Sequence, residues 1–315
     1  MEIFNPNSKI DFLGWRNISV TISLVLMLIS IIAIVGRGLN YGLDFTGGVL
    51  VEAAYEQPID VTDVRQSLKD GGYENAIVVP IGGSREVAIR LQSASTQQEG
   101  VKADEVSKKV IDLLKAKRAD VTIKRTDLVG ATVGDELKSQ GIIAVLFVMI
   151  GIMIYIAVRF EWRFAIAGVA SEIHDTLIVL GFYAITQHDF DITVLASVLS
   201  VVGYSINDKV VVFDRVRELF RSSRKAEPVE VLNKAINSTL SRTIITAAFT
   251  GITMLALYFF GGPVVHGFAL TMIIGIVVGT LSSIFFANPI LLWLGVSKQD
   301  LMPSSKDNAE LARRP

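Results

Sequence analysis

The stretch GIIAVLFVMIGIMIYIAV, residues 141–158, decides the fold: it runs for eighteen residues without a charge, an amide or a proline. As a helix such a run crosses about 30 Å of hydrocarbon, for which roughly 17–25 residues are needed. Five further stretches read the same way, Ile18–Val35, Phe164–Thr186, Ile192–Phe213, Ile244–Phe260 and Gly267–Leu294. The expectation is therefore six transmembrane helices. The first is too long for a signal-peptide core of roughly 7–15 residues, and no small-residue cleavage site follows it, so it reads as an uncleaved helix. The last exceeds the required length and carries Asn288-Pro289, where a tilt or kink is expected.

Composition agrees with this class. Apolar residues make up 51% of the 315 and charged residues 19%, against about 25% in soluble domains. The formal net charge is −1 and there is no cysteine, which argues against nucleic-acid binding, a disulfide framework or a thiolate metal site. Three widely spaced histidines, His174, His188 and His266, give no metal-ligand spacing, and no nucleotide loop or hydrolase constellation appears. The reading carries no cofactor, no metal and no enzymatic activity.

Lys and Arg in short loops resist translocation and so orient the chain. Arg159 and Arg163 follow the second span, and Arg215, Arg217, Arg221, Arg224, Lys225, Lys234 and Arg242 follow the fourth. The opposing loops, Gln187–Asp191 and Gly261–His266, have neither residue. Both termini are then expected on the cytoplasmic side, with residues 38–137 external. The basic stretch near 214–242 reads as a solvated or lipid-facing cytoplasmic loop, in which Val229, Leu232, Ile236 and Leu240 suggest an amphipathic helix along the membrane. Residues 1–37 comprise the cytoplasmic start and first span, 138–296 the remaining spans, and 297–315 a polar, disordered cytoplasmic tail.

Between the first two spans, roughly Val49 to Asp127, β-branched runs at Val49–Ala53, Ala76–Val79, Glu86–Leu91 and Val121–Lys124 read as strands. Val61, Val64 and Leu68 recur at helical spacing, as do Val106, Val110, Ile111, Leu113 and Leu114. The order β-α-β-β-α-β is that of a ferredoxin-like α/β domain.

Within the spans the ionisable residues stand out: Glu172, His174 and Asp175 in the third, Asp208 and Lys209 in the fourth. Each costs about 2.5–3.5 kcal/mol by insertion scales, so each needs a reason, which is usually functional. Ser197, Ser200, Tyr204 and Asp208 are spaced three and four apart and form one polar face, expected to point into the helix bundle. The plainer reading of Asp208 is permanent neutralisation by Lys209 or Arg242. For His174-Asp175 it is hydrogen bonding between helices, set against a part in a proton relay.

The residues resemble a known family. Tyr41-Gly42-Leu43-Asp44-Phe45-Thr46-Gly47-Gly48, His174-Asp175, Val202-Gly203-Tyr204-Ser205-Ile206-Asn207-Asp208 running on to Phe213-Asp214-Arg215, Leu240-Ser241-Arg242-Thr243, and Phe268-Ala269-Leu270 through Gly275 to Ser282-Ser283 are similar, in that order, to the SecF subunits of the bacterial Sec protein translocase. These belong to the SecD/SecF family of the resistance-nodulation-division class. The resemblance implies a six-helix half-bundle of that type in the bacterial inner membrane, completed by SecD. It also implies coupling of the proton motive force to late translocation of unfolded polypeptides from the SecYEG channel, with YajC and membrane lipids as further partners. The family's proton-handling aspartate maps to Asp208 and its functional arginine to Arg242. The chain departs at Lys209, where the family usually has Ser or Thr; a cation there would oppose proton uptake by Asp208. Glu172 is not matched to the family pattern. The segment Tyr41–Gly48 is expected to fix how the external domain leaves the first span, through Gly42, Gly47 and Gly48 beside Phe45, or to present Asp44 to the partner. It is no phosphate loop, since no Gly-Lys-Ser/Thr ending follows. Two other functions fit six spans and buried charge: half of a proton-driven exporter of small molecules or lipids, and a membrane scaffold.

Overall fold

A computed structural model describes residues 8–74, 76–81, 83–92, 103–222 and 227–297. The polar tail beyond 297, Arg224 and Lys225 lie outside these residues. The elements in order are α1 (Arg16–Arg37), β1 (Asn40–Tyr41), α2 (Leu43–Thr46), β2 (Gly48–Tyr55), α3 (Val61–Asp70), β3 (Ile77–Pro80), β4 (Glu86–Gln92), α4 (Ala103–Lys117), β5 (Val121–Val129), α5 (Ala131–Arg159), α6 (Trp162–Thr186), β6 (Asp189–Phe190), α7 (Ile192–Ser222), α8 (Pro228–Phe260), α9 (Pro263–Ser282) and α10 (Asn288–Trp293). Among the described residues six helical segments are long and apolar enough to cross a membrane, and they contain the six expected runs but for Leu294 at the end of the last. The chain divides into two compact units, one of residues 1–39, 145–188 and 196–315, the other of 40–144 and 189–195.

The second unit holds a four-stranded sheet in the order β3-β4-β2-β5, every neighbouring pair antiparallel. That order and the intervening helices α3 and α4 are the ferredoxin-like arrangement. Alternation along β2 buries Val49, Val51, Ala53 and Tyr55 on one face, where Val64, Leu68, Val106, Val110 and Leu114 meet them. The Asp60 side chain caps α3 by accepting from Thr62 N at 2.8 Å.

In the first unit α1 packs on α6, α6 on α9, and α9 on α8. Close approach requires small residues, because between helices in lipid packing replaces the hydrophobic effect. A Cβ on Gly181 of α6 would come within 2.8 Å of the Ser30 Cα on α1, and one on Gly279 of α9 within 2.6 Å of the Ser205 Oγ on α7. Gly181→Val is expected to lower the unfolding free energy in micelles by about 1–3 kcal/mol through overpacking, with Ser30→Gly recovering part of it. Unchanged stability would mean that α1 shifts away from α6 without loss.

Just before Asn288-Pro289, where a tilt or kink is expected, the helix passes through a π-helical turn, Ser283–Ala287, between α9 and α10. Pro289 has no N–H for the Phe285 carbonyl four residues back, and the Ser19 hydroxyl of α1 donates to that carbonyl at 2.9 Å instead. The basic stretch near 214–242 differs from expectation. It is helical on both sides of residues 223–226: α7 continues to Ser222, and α8 runs unbroken from Pro228 for 33 residues, about 50 Å. Leu232, Ile236 and Leu240 pack with Val212, Val216 and Phe220 in a buried cluster. Their apolar stripe serves a helix extension packed on α7, and the separate surface helix is not formed.

Candidate functional site

Glu172, His174 and Asp175 of α6 and Lys209 of α7 converge at one place, joined by the hydroxyls of Ser205 on α7 and Ser282 on α9. The Lys209 ammonium is fully buried and donates to Glu172 Oε1 at 2.6 Å, Asp175 Oδ2 at 2.7 Å and Ser205 Oγ at 2.7 Å. Asp175 Oδ2 also accepts from Ser205 Oγ at 2.6 Å and Ser282 Oγ at 2.8 Å. Its other oxygen, Oδ1, lies 2.8 Å from His174 Nδ1, and the imidazole stacks on Phe286 with ring centroids 4.3 Å apart. Helical spacing explains the assembly. Glu172 and Asp175 are three apart on α6, and Ser205 and Lys209 four apart on α7, so each pair shares a face. Three donors of the ammonium meet three oxygens, as a buried cation requires.

This arrangement corrects the expected place of Lys209. Consecutive residues on a helix project about 100° apart, so Lys209 reaches α6 and forms no ion pair with Asp208. Asp208 is 3% exposed, its Oδ2 has no hydrogen-bond partner, and it forms no ion pair among the described residues. Arg242 on α8 is exposed and forms no direct ion pair with Asp208 among the described residues. The polar face of α7 also divides. Ser197 and Asp208 are buried, Tyr204 is half-buried, and Ser200, Gly203 and Asn207 are exposed. Sequence reasoning missed Ser205 and Ser282, although Ser205 stands four residues before Lys209.

The segment Tyr41–Gly48 lies in the other unit and organises the entry to α7. β1 pairs in parallel with β6, and Gly42 N donates to Phe190 O at 2.8 Å. A Cβ on Gly42 would sit 3.0 Å from the Asp191 Cβ, and Gly47 and Gly48 adopt φ of +66° and +128°, which disfavour other residues. Tyr41, Phe45 and Phe190 form an aromatic cluster. Asp44 Oδ2 accepts from Ile192 N at 3.0 Å, placing a carboxylate at the first turn of α7 where unpaired N–H groups and the helix dipole favour it.

Arg90 of β4 binds both oxygens of Asp189 at 2.7 and 2.5 Å, and Asn40 adds a bond at 3.0 Å. Being partly exposed, the Arg90–Asp189 pair contributes about 1 kcal/mol. Arg90→Ala is expected to speed amide exchange at Gly42 and Ile192 about fivefold, with Arg90→Lys intermediate. Exchange identical to the parent chain would show the pair to be incidental.

Known proteins resemble this chain over nearly its whole length. Residues 109–297 match the family described as the C-terminal part of the protein export membrane proteins SecD/SecF, and residues 32–59 match the SecD/SecF GG motif. The chain is 43% identical over 304 residues to a protein translocase subunit SecF of Pseudomonas aeruginosa, covering 96% of this chain and 97% of that one. It is 39% identical over 317 residues to the SecF of Vibrio alginolyticus, covering 100% and 99%. Among solved structures, SecDF of Thermus thermophilus, a translocon-associated membrane protein, superposes with a TM-score of 0.83 at 32% identity. That match covers 93% of this chain but 39% of the larger SecDF chain.

Proposed function

We propose that this chain, which belongs to the SecD/SecF family of protein export membrane proteins, couples the proton motive force to late steps of polypeptide translocation. Its relatives are named translocase subunits, and the six apolar helices make it a multi-pass membrane protein of the Sec pathway. In this reading it resides in the bacterial inner membrane with both termini cytoplasmic and the α/β domain periplasmic. There it works with SecD beside SecYEG, with YajC as a further neighbour, on unfolded chains leaving the channel.

The observation that carries the proposal is Asp208, a buried carboxyl with no ion pair among the described residues, on a helix that leaves the polar residues Ser200 and Asn207 exposed. Polar groups at that depth are costly against lipid and call for a protein cover. The second half-bundle supplied by SecD is the natural cover. Protonation of Asp208 and its direct pairing with Arg242 are the two alternative states of the switch; one removes the buried charge and the other gives it a hydrogen-bonded cation. Asp175, itself bonded by His174, helps hold Lys209, and the two join the relay only through that cluster, while Tyr41, Gly42, Asp44, Phe45, Gly47 and Gly48 fix the start of α7.

The test is export of a preprotein into inverted vesicles carrying this chain and SecD, with and without an imposed proton gradient. Export should rise with the gradient only when both are present. Equal export with and without the gradient would leave a scaffold as the better description.

A further inference from the structure

The cluster around Lys209 does not balance with every group in its ordinary state. Two carboxylates, Glu172 and Asp175, face a single ammonium, and all three are 0% exposed. The charge of the assembly is then −1 with neutral His174. Among the described residues no further ion pair reaches the cluster beyond those with Lys209 and His174. The charged residues of α1, Arg16 and Arg37, lie at its ends, as do Asp135, Glu136, Lys138 and Arg159 of α5. From α9 through α10 the only titratable residue is His266, near the start of α9. On α7 Asp208 would add to the excess, and Arg242 on α8 is exposed. A fully buried unit charge without a counter-ion is strongly disfavoured, and the usual relief is to bind or release a proton.

Two buried polar atoms of the cluster have no partner, Glu172 Oε2 and His174 Nε2. Asp175 cannot hold the extra proton economically, because its Oδ2 already accepts from Lys209, Ser205 and Ser282 and its Oδ1 faces His174 Nδ1. A neutral His174 satisfies that last contact by donating its Nδ1 proton to Asp175, which leaves Nε2 a bare lone pair. Glu172 by contrast uses only Oε1, toward Lys209.

We propose that Glu172 is a second proton-binding site, separate from Asp208, which holds a proton on Oε2 and thereby neutralises the buried Glu172–Asp175–Lys209 cluster. The ligand is a single proton, and the site stands on charge balance and hydrogen bonding within α6, α7 and α9, independently of any role in export. Lys209 and Asp175 then form a permanent pair, and Glu172 is the member whose charge is free to change.

The experiment is infrared spectroscopy of the full chain in lipid, following the carbonyl stretch of protonated carboxylic acids through a pH titration. Glutamate carrying 13C in its carboxyl group should shift one such band to lower frequency in the unmutated chain at neutral pH, where exposed glutamates are ionised. Glu172→Gln should abolish that band and Asp208→Asn should leave it in place. The labelled parent chain gives the answer even if Glu172→Gln folds poorly. A band that moves only with labelled aspartate, or a 15N signal of His174 imidazolium in place of any glutamic acid band, would overturn the assignment. Loss of gradient-dependent export in Asp208→Asn bears on the translocation reading alone, so the two ideas fail separately.

Discussion

Asp208→Asn is expected to abolish the dependence of export on the proton gradient while leaving the chain folded and paired with SecD. The amide is nearly isosteric with the carboxylic acid and is neutral, so it occupies the 3% exposed position without a new buried charge. What it cannot do is exchange a proton. With a membrane potential of roughly 180 mV, moving one charge across contributes about 4 kcal/mol. Shifting a two-state equilibrium from 1:99 to 99:1 takes about 5.5 kcal/mol. One proton per cycle supplies most of this and two exceed it, so a chain without the exchangeable proton should export at its gradient-free rate. Arg242→Ala should give the same phenotype, because the ionised state of Asp208 then has no cation to join. The comparison is made in vesicles with matched amounts of both subunits, and gradient-stimulated export surviving in Asp208→Asn would sink the switch.

How the sequence encodes this molecule differs between its two environments. Lipid demands unbroken apolar runs, so all six spans and the irregularity at Pro289 were legible. In the α/β domain, period-two and helical patterns alternated cleanly enough to give the strand and helix order. The helix extensions were not legible as such, because beyond the hydrocarbon a helix carries no apolar run to mark its length. Residues 214–222 read as a basic loop and 229–240 as a separate amphipathic helix, yet they continue α7 and α8, stabilised by Val216, Phe220, Leu232 and Ile236 packing together.

The site was legible as a set of residues and not as a set of partners. Asp208 and Lys209 are neighbours in sequence, which invites pairing them, but the helix turns Lys209 toward α6. The informative pattern was longer-ranged. A buried lysine must find acceptors, and Glu172 with Asp175 at three-residue spacing is an acceptor pair on one face. Chain order does not reveal that α6 and α7 meet at that level. Side-chain contacts between the helices decide it, where Ser205 and Lys209 of α7 bond Asp175 and Glu172 of α6.

That dependence on a single ammonium leads to the largest stability effect expected in the chain. Lys209→Met keeps the length and apolar stem of the side chain and removes its charge, leaving Asp175 buried with its hydroxyl and imidazole partners but no cation. Removing one member of a buried ion pair costs about 3–5 kcal/mol, largely because the remaining charge is stranded. Glu172→Gln should be much milder, since Lys209 keeps Asp175 and the amide oxygen still accepts from the ammonium. The distinction lies in second-site recovery. Asp175→Asn placed in the Lys209→Met chain removes the stranded carboxylate and should restore much of the lost stability, a coupling of the size seen between contacting residues, about 0.5–3 kcal/mol. Glu172→Gln in that background should restore less, because a protonated Glu172 is already neutral. Unfolding free energies in mixed micelles for the single and double variants give the ordering, and equal recovery by the two second-site changes would place the ionised charge on both carboxylates alike.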